Sequence, residues 1–210
     1  RLSSVPLPTD AVADPLRGGV AASRGRAVPE GRSRARRDPG EGRASAAGGV
    51  YTRGVVSPSI RLAKAADLPG IARVHAASVR GLCAGHYRRG EIDAWLAPGP
   101  GLYARLLKSS TVFVAEMAGE VVGFAAVRLA TREVPALYVA PSAAGAGLGL
   151  RLLRRVERVA RAVGIRELRL SATLNAVAFY ERSGWRREAE AVGGRGHRCV
   201  PMRKRLRAPE

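Results

Sequence analysis

The chain has 210 residues with 36 Lys+Arg against 17 Asp+Glu, a formal net charge of +19, and its length suits one domain plus a tail. At 46% hydrophobic but only 5% aromatic, any core rests on Ala, Leu and Val, and collagenous, coiled-coil and disulfide-scaffold classes are excluded. Two cysteines, Cys83 and Cys199, supply too little sulfur for a disulfide framework or a four-ligand zinc site, so free thiols in a reducing cytoplasm are expected.

From Arg1 to Gly49 there is no aromatic, Ile, Met, Cys or Lys, and Gly, Pro, Ser and Arg recur without period. Such a segment buries too little apolar surface to offset its ordering entropy, so residues 1–58 are read as a disordered tail. It opens on Arg1 rather than Met, as a fragment or an upstream extension would. No apolar run of secretory type precedes Tyr51. The tail holds ten basic and five acidic side chains, +5, which leaves +14 on residues 59–210.

The domain is expected to open with a strand at Ile60–Ala63. A helix then covers Asp67–Leu82 with Leu68, Ile71, Val74 and Val79 as its stripe, and a further helical stretch, Glu91–Leu107, is broken at Pro98–Gly101. Thr111–Met117 and Val121–Leu129 read as strands joined at Ala118-Gly119-Glu120, and Glu133–Val139 as another, in which Pro135 signals a bulge or edge. After Pro141 three glycines, Gly145, Gly147 and Gly149, lead into a helix with Leu150, Leu153, Val156, Ala160 and Val163 on one face, closed by Gly164. Ile165–Ala172 is a strand, Ala176–Arg182 a helix and His197–Leu206 a final strand. The sum is an α+β domain on a mixed sheet. The uncharged stretch Val134–Leu150 is too broken by Pro and Gly to span a membrane.

Glycines alternating between a strand and a helix let backbone N–H groups face an anion. A P-loop would need Gly-Lys-Ser/Thr, and here Leu150 and Arg151 follow Gly149; the dinucleotide fingerprint lacks its third glycine. A pyrophosphate cradle of another kind remains, beside a plain glycine-rich connection. Downstream stands Asn175-Ala-Val-Ala-Phe-Tyr180-Glu-Arg-Ser-Gly184-Trp185. Together with Leu137-Tyr-Val-Ala-Pro141 and the glycine turn, this resembles the GNAT superfamily of acyl-CoA-dependent N-acetyltransferases over residues 59–206. The stretch Ala76–Trp95, with Cys83-Ala-Gly-His86-Tyr87, is similar to a bacterial branch of it with an uncharacterised acceptor.

The resemblance implies a mostly antiparallel central sheet with flanking helices, and acetyl-CoA as co-substrate without a metal. Its cofactor-binding residues would be Leu137, Tyr138, Val139, Gly145, Ala146, Gly147, Leu148, Gly149, Leu150, Arg151, Asn175 and Tyr180, with a backbone N–H near Val139 polarising the thioester. Where the family usually has Gln or Arg, this turn has Ala144, which removes one side-chain contact. Tyr180 matches the general acid, since a phenol stays protonated at neutral pH; packing against Phe179 is the plainer alternative. Glu133 stands where some members keep a base, or is a solvated strand-end carboxylate. His86, Tyr87 and His197 are the acceptor-side candidates, and the scattered His75, His86 and His197 make no metal site. Arg151, Arg154, Arg155, Arg158 and Arg161 lie on the polar side of the helix after the turn, read either as attracting the adenosine phosphates of CoA or as a solvated face with Glu157.

Three functions stay open: acetyl transfer to a small-molecule or protein amine, a tRNA-directed acetylating toxin, and a non-catalytic CoA- or nucleic-acid-binding protein. Homodimer formation is left open. The charge alone invites nucleic acid, but only Lys64, Lys108 and Lys204 are lysines and arginine is dense throughout, so that partner is not favoured.

Overall fold

The computed structural model describes residues 57–97, 99, 101–193 and 197–207, so the expectation for residues 1–58 lies almost wholly outside the described residues. The elements run β1 (Ser59–Leu62), α1 (Leu68–Leu82), α2 (Arg89–Trp95), α3 (Leu102–Ser109), β2 (Thr111–Met117), β3 (Glu120–Arg128) and β4 (Glu133–Val139), then α4 (Leu148–Ala162), β5 (Glu167–Thr173), α5 (Val177–Arg182), β6 (Arg186–Arg187), β7 (Val192–Gly193) and β8 (Arg198–Arg205). The strands form one sheet in the order β1-β2-β3-β4-β5-β8-β6, with β7 also on β8. Every pairing is antiparallel except β4 with β5. This is the mixed, mostly antiparallel α+β architecture that the sequence implied.

Alternation along the strands separates two cores. Phe113 and Ala115 of β2, with Ala125 and Val127 of β3, face α4 and α5; Val112, Val114, Phe124 and Ala126 face α1 to α3. In β4 the phase slips: Val134, Leu137 and Val139 join the α4 core while Ala136 and Tyr138 join the other. Strict period two would put Val134 with Ala136. The register against β3 shifts at this level, between Ala126 and Arg128, so Pro135 marks a bulge in a central strand.

The β2–β3 turn needs left-handed backbone at both central residues, Ala118 (φ 52°) and Gly119 (φ 80°), the geometry that matches strand twist in a two-residue hairpin. Helix α4 ends as expected at Gly164, whose N–H donates to the Arg161 carbonyl (2.9 Å) while Ile165 N–H reaches Ala160 (3.0 Å), a Schellman closure.

The stripe expected for α4 is corrected in phase. Its buried residues are Leu148, Leu152, Leu153, Val156, Glu157 and Ala160; Leu150 is half-buried and Val163 is 59% exposed. The helix starts at Leu148, capped by Gly147, so the glycine turn contributes its third glycine to the first helical turn. Glu157 is likewise corrected from the polar face: its carboxylate is buried and accepts hydrogen bonds from Lys204 Nζ (2.8 Å to each oxygen) and Trp185 Nε1 (3.1 Å). Lys204 also donates to the Ser183 carbonyl at 2.8 Å. One acid thereby links α4, the α5 exit and β8.

Candidate active site

Strands β4 and β5 meet at one register pair, Glu133 with Arg169, supported by Arg169 N–H donating to the Arg132 carbonyl at 3.0 Å. Beyond it they diverge into a wedge. Counting six residues along β4 from that pair reaches Val139, about 20 Å of strand from the vertex, and Asn175 lies two residues past the end of β5. The Ala140 N–H donates to Val122 of β3 (2.9 Å); because successive strand amides alternate sides, the Val139 N–H is directed toward the wedge.

The glycine turn closes one end of the mouth. Gly145 (φ 84°) and Gly147 (φ 76°) adopt the left-handed backbone that glycine favours. Residues 145–147 are exposed, Leu148 is buried, and Gly149 and Leu150 are half-buried. The first N–H groups of the 15-residue helix α4 have no intrahelical acceptor, and together with the dipole they suit an anion. Ala144 leaves that site to backbone groups alone. Arg151 does not reach into it: its Nη2 donates to the Pro58 carbonyl at 2.8 Å.

Two buried polar groups lie near the mouth. Thr173 Oγ1, on a residue 0% exposed, and Asn175 Nδ2 have no hydrogen-bond partner among the described residues, and a buried unpaired group costs free energy until a ligand meets it. Asn175 Oδ1 accepts from the Cys83 thiol at 3.6 Å. Burial pushes that thiol up to about 12, so Cys83 is an inert, apolar-site cysteine.

Tyr180 is 1% exposed and packs edge-on to Phe179 (5.2 Å) and Trp185 (5.7 Å); burial raises its phenol above the ordinary value, so it is protonated at neutral pH. Leu137 and Val139 are buried in the same core as Tyr180, and Tyr138 in the opposite one. Glu133 sits at the vertex, 20% exposed, with its Oε2 3.4 Å from Arg128 Nη1 and accepting from Thr131 Oγ1 at 3.0 Å. Vertex and mouth thus hold Glu133 and the cofactor candidates apart.

The acceptor-side candidates divide. Tyr87 is buried, and its hydroxyl accepts from the Leu174 N–H (2.8 Å) and donates to the Arg198 carbonyl (2.6 Å); burial raises its pKa. It ties the loop after α1 to the ends of β5 and β8. His197 stacks on Trp95 (3.8 Å, 10°) and meets Tyr87 edge-on. His86 is exposed and lines a cavity of about 620 Å³ with Gly85, Tyr87, Arg88, Glu91 and Arg198.

Sequence reasoning missed Arg182. It lines a cleft of about 300 Å³ between α4 and α5 with Leu150, Arg154, Phe179 and Lys204; the signal was its three-residue spacing from Phe179 on a short helix. Arg155 turns away from that cleft, over Phe113 at 5.0 Å. Among the described residues no group of three or more His, Cys, Asp or Glu is arranged to hold a metal ion, and no helix is long and apolar enough to cross a membrane.

A family model described as an acetyltransferase (GNAT) domain matches residues 84–206, and no curated protein matches the sequence. Among solved structures, a GCN5-related N-acetyltransferase from Rhodopseudomonas palustris, described also as an aminotransferase of class II, is 27% identical with a TM-score of 0.66, over 71% of this chain and 96% of that one. PaiA N-acetyltransferase from Thermoplasma acidophilum, in complex with coenzyme A, is 22% identical with a TM-score of 0.61 over 71% and 99%. A GNAT superfamily phosphinothricin acetyltransferase from Sinorhizobium meliloti, in complex with AcCoA, is 23% identical with a TM-score of 0.55 over 71% and 89%. These last two share the fold. With the family model covering more than half of its length, this chain belongs to the GNAT acetyltransferases, a family of acyltransferases.

Proposed function

We propose that the protein transfers the acetyl group of acetyl-CoA to a primary amine by direct attack. The observation that carries this reading is the wedge: β4 and β5 share one register pair, and its mouth combines an inward Val139 N–H, unpartnered groups on Thr173 and Asn175, and the glycine turn. Acetyl-CoA supplies an activated acyl carbon and a thiolate leaving group. Residues 145–149 would hold its pyrophosphate through backbone N–H groups, Arg154 and Arg182 its remaining phosphate charge, and Asn175 the pantetheine arm.

The amine lone pair forms the C–N bond while the Val139 N–H supports the developing oxyanion. The C–S bond breaks, its electron pair passes to sulfur, and Tyr180 O–H supplies the proton; the proton lost by the nitrogen restores the phenol. Glu133 would take the proton of the incoming ammonium through a chain of waters, since about 20 Å of strand separates it from Val139. This requires its carboxylate to serve the wedge as well as Arg128 and Thr131.

A second acceptor, the amino group of a charged tRNA, is favoured by one observation. A cavity of about 760 Å³ is lined by Arg161, Arg186, Arg203, Arg205 and Arg207, about 20 Å along α4 from the glycine turn. The test is thioester consumption over a panel of amines that includes aminoacyl-tRNA. Turnover is expected with at least one, and Tyr180→Phe should cut kcat by ~100-fold, the scale of a lost general acid, with the KM for acetyl-CoA nearly unchanged. An intact thioester with every amine, despite CoA binding, removes the reading; an unchanged rate in Tyr180→Phe removes Tyr180 from it.

A further inference from the structure

The cavity beside Tyr87 has a charge pattern that the transfer chemistry does not require. Two guanidinium groups, Arg88 and Arg198, line it, both on exposed residues, and neither has an acidic partner among the described residues. The one carboxylate in the lining, Glu91, is held in place: its Oε2 accepts the Arg88 N–H at 2.8 Å. Tyr87 also lines it, and its hydroxyl is fixed by hydrogen bonds from the Leu174 N–H and to the Arg198 carbonyl. Leu174 directly follows β5, so the cavity lies one phenol ring away from the mouth of the wedge.

We infer that this cavity selects the acceptor: a small primary amine that also bears a carboxylate or a phosphate-type oxyanion, gripped by Arg88 and Arg198 with its nitrogen toward the wedge. The inference rests on the acetyl-transfer reading. A guanidinium offers paired N–H donors that match the two oxygens of a carboxylate or phosphonate, and two of them on one cavity favour an anion over a neutral group. Glu91 has the opposite preference. It repels a second negative charge on the ligand and accepts a hydrogen bond from a donor, so an acceptor with one oxyanion and one amine suits the lining better than a dianion.

The test uses the full chain saturated with CoA for calorimetry, and with acetyl-CoA for turnover. The probes are L-phenylalanine, L-phenylalaninamide, phenethylamine and 3-aminopropylphosphonate, which separate carboxylate, neutral and phosphonate acceptors. An oxyanion-bearing amine should bind at least tenfold more tightly than its neutral counterpart. Arg88→Ala and Arg198→Ala should each raise its Kd and KM about tenfold, the scale of a lost charged hydrogen bond, with the KM for acetyl-CoA and the thermal midpoint unchanged.

Equal binding of L-phenylalanine and L-phenylalaninamide, or an advantage that survives both substitutions, overturns the inference. An arginine-dependent preference in binding with the thioester left intact by every probe supports an oxyanion site in the cavity but overturns its role in selecting the acceptor, while acetyl transfer itself is judged on the wider amine panel.

Discussion

On the α4 side of the sheet the buried carboxylate of Glu157 is fully met by Lys204 and Trp185, while Arg155, whose guanidinium lies over Phe113, keeps a buried Nε without a partner among the described residues. On the α1–α3 side, His75 Nε2, Ser78 Oγ and Trp95 Nε1 are buried without partners among the described residues. His75 Nδ1 does lie 2.9 Å from the Tyr103 hydroxyl, and its ring meets Trp95, Tyr103 and Tyr138 edge-on. A satisfied buried pair fixes one arrangement of the chain. Unsatisfied donors and acceptors instead lower stability, and folds tolerate them where a ligand is handled. The first layer holds the wedge in shape, and the second, beside the proposed acceptor cavity, keeps polar capacity in reserve.

Removing the Glu157 carboxylate should have the largest effect on that contrast. Glu157→Ala leaves Trp185 Nε1 without its acceptor and Lys204 without its acid, and should destabilise by about 3 kcal/mol in urea unfolding. The double change Glu157→Leu with Lys204→Met should recover most of that loss. A single substitution within 1 kcal/mol of wild type would mean that the two layers do not differ as described.

The opposite layer should respond to pH. Burial holds the His75 imidazole down to about 4 from 6.5, with His197 a lesser cause. Between those values the unfolded chain binds the extra proton, so the contribution is complete above pH 6.5 and is lost as pH falls toward 4. At 1.36 kcal/mol per unit the loss is about 3 kcal/mol at most. Urea unfolding at pH 7 and pH 4.5 measures it, and His75→Phe should flatten the dependence; an unchanged slope in that variant assigns it elsewhere.

The smallest effect belongs to Ser78, which is 0% exposed. Deleting a buried hydroxyl that has no partner among the described residues should be neutral or stabilising, so Ser78→Ala should hold or raise the midpoint. A loss above about 1 kcal/mol would show that the hydroxyl is paired.

Most of the fold was legible in the sequence because its signals are local. A Val-rich run gave Thr111–Met117 the bounds observed, Glu133–Val139 matches as well despite its slip of phase, and Gly164 marked the end of α4, where its backbone is left-handed. The phase of α4 was misread because the helix begins inside the glycine turn. Glu157 was misread because its partner Lys204 lies 47 residues away and an apolar-period rule discards a charged residue. Nothing near Ala118 distinguishes it from an ordinary turn alanine, yet the two-residue hairpin requires its φ of 52°.

The candidate site was legible to the same degree. Glycines and the Asn175–Trp185 segment announce themselves, because backbone freedom and aromatic spacing are properties of short windows. The role of Tyr87 depends on Leu174 and Arg198, 87 and 111 residues distant. The cavity behind it forms only when the loop after α1 docks on β5 and β8.

The single register pair between β4 and β5 has a mechanical consequence. The sheet is two ladders, β1 to β4 and β5 to β8, that share one rung, so resistance to their separation depends on helix packing and on whatever fills the wedge. A molecule seated there acts as a second fastening between the ladders, and by mass action its binding adds directly to the stability of the folded chain.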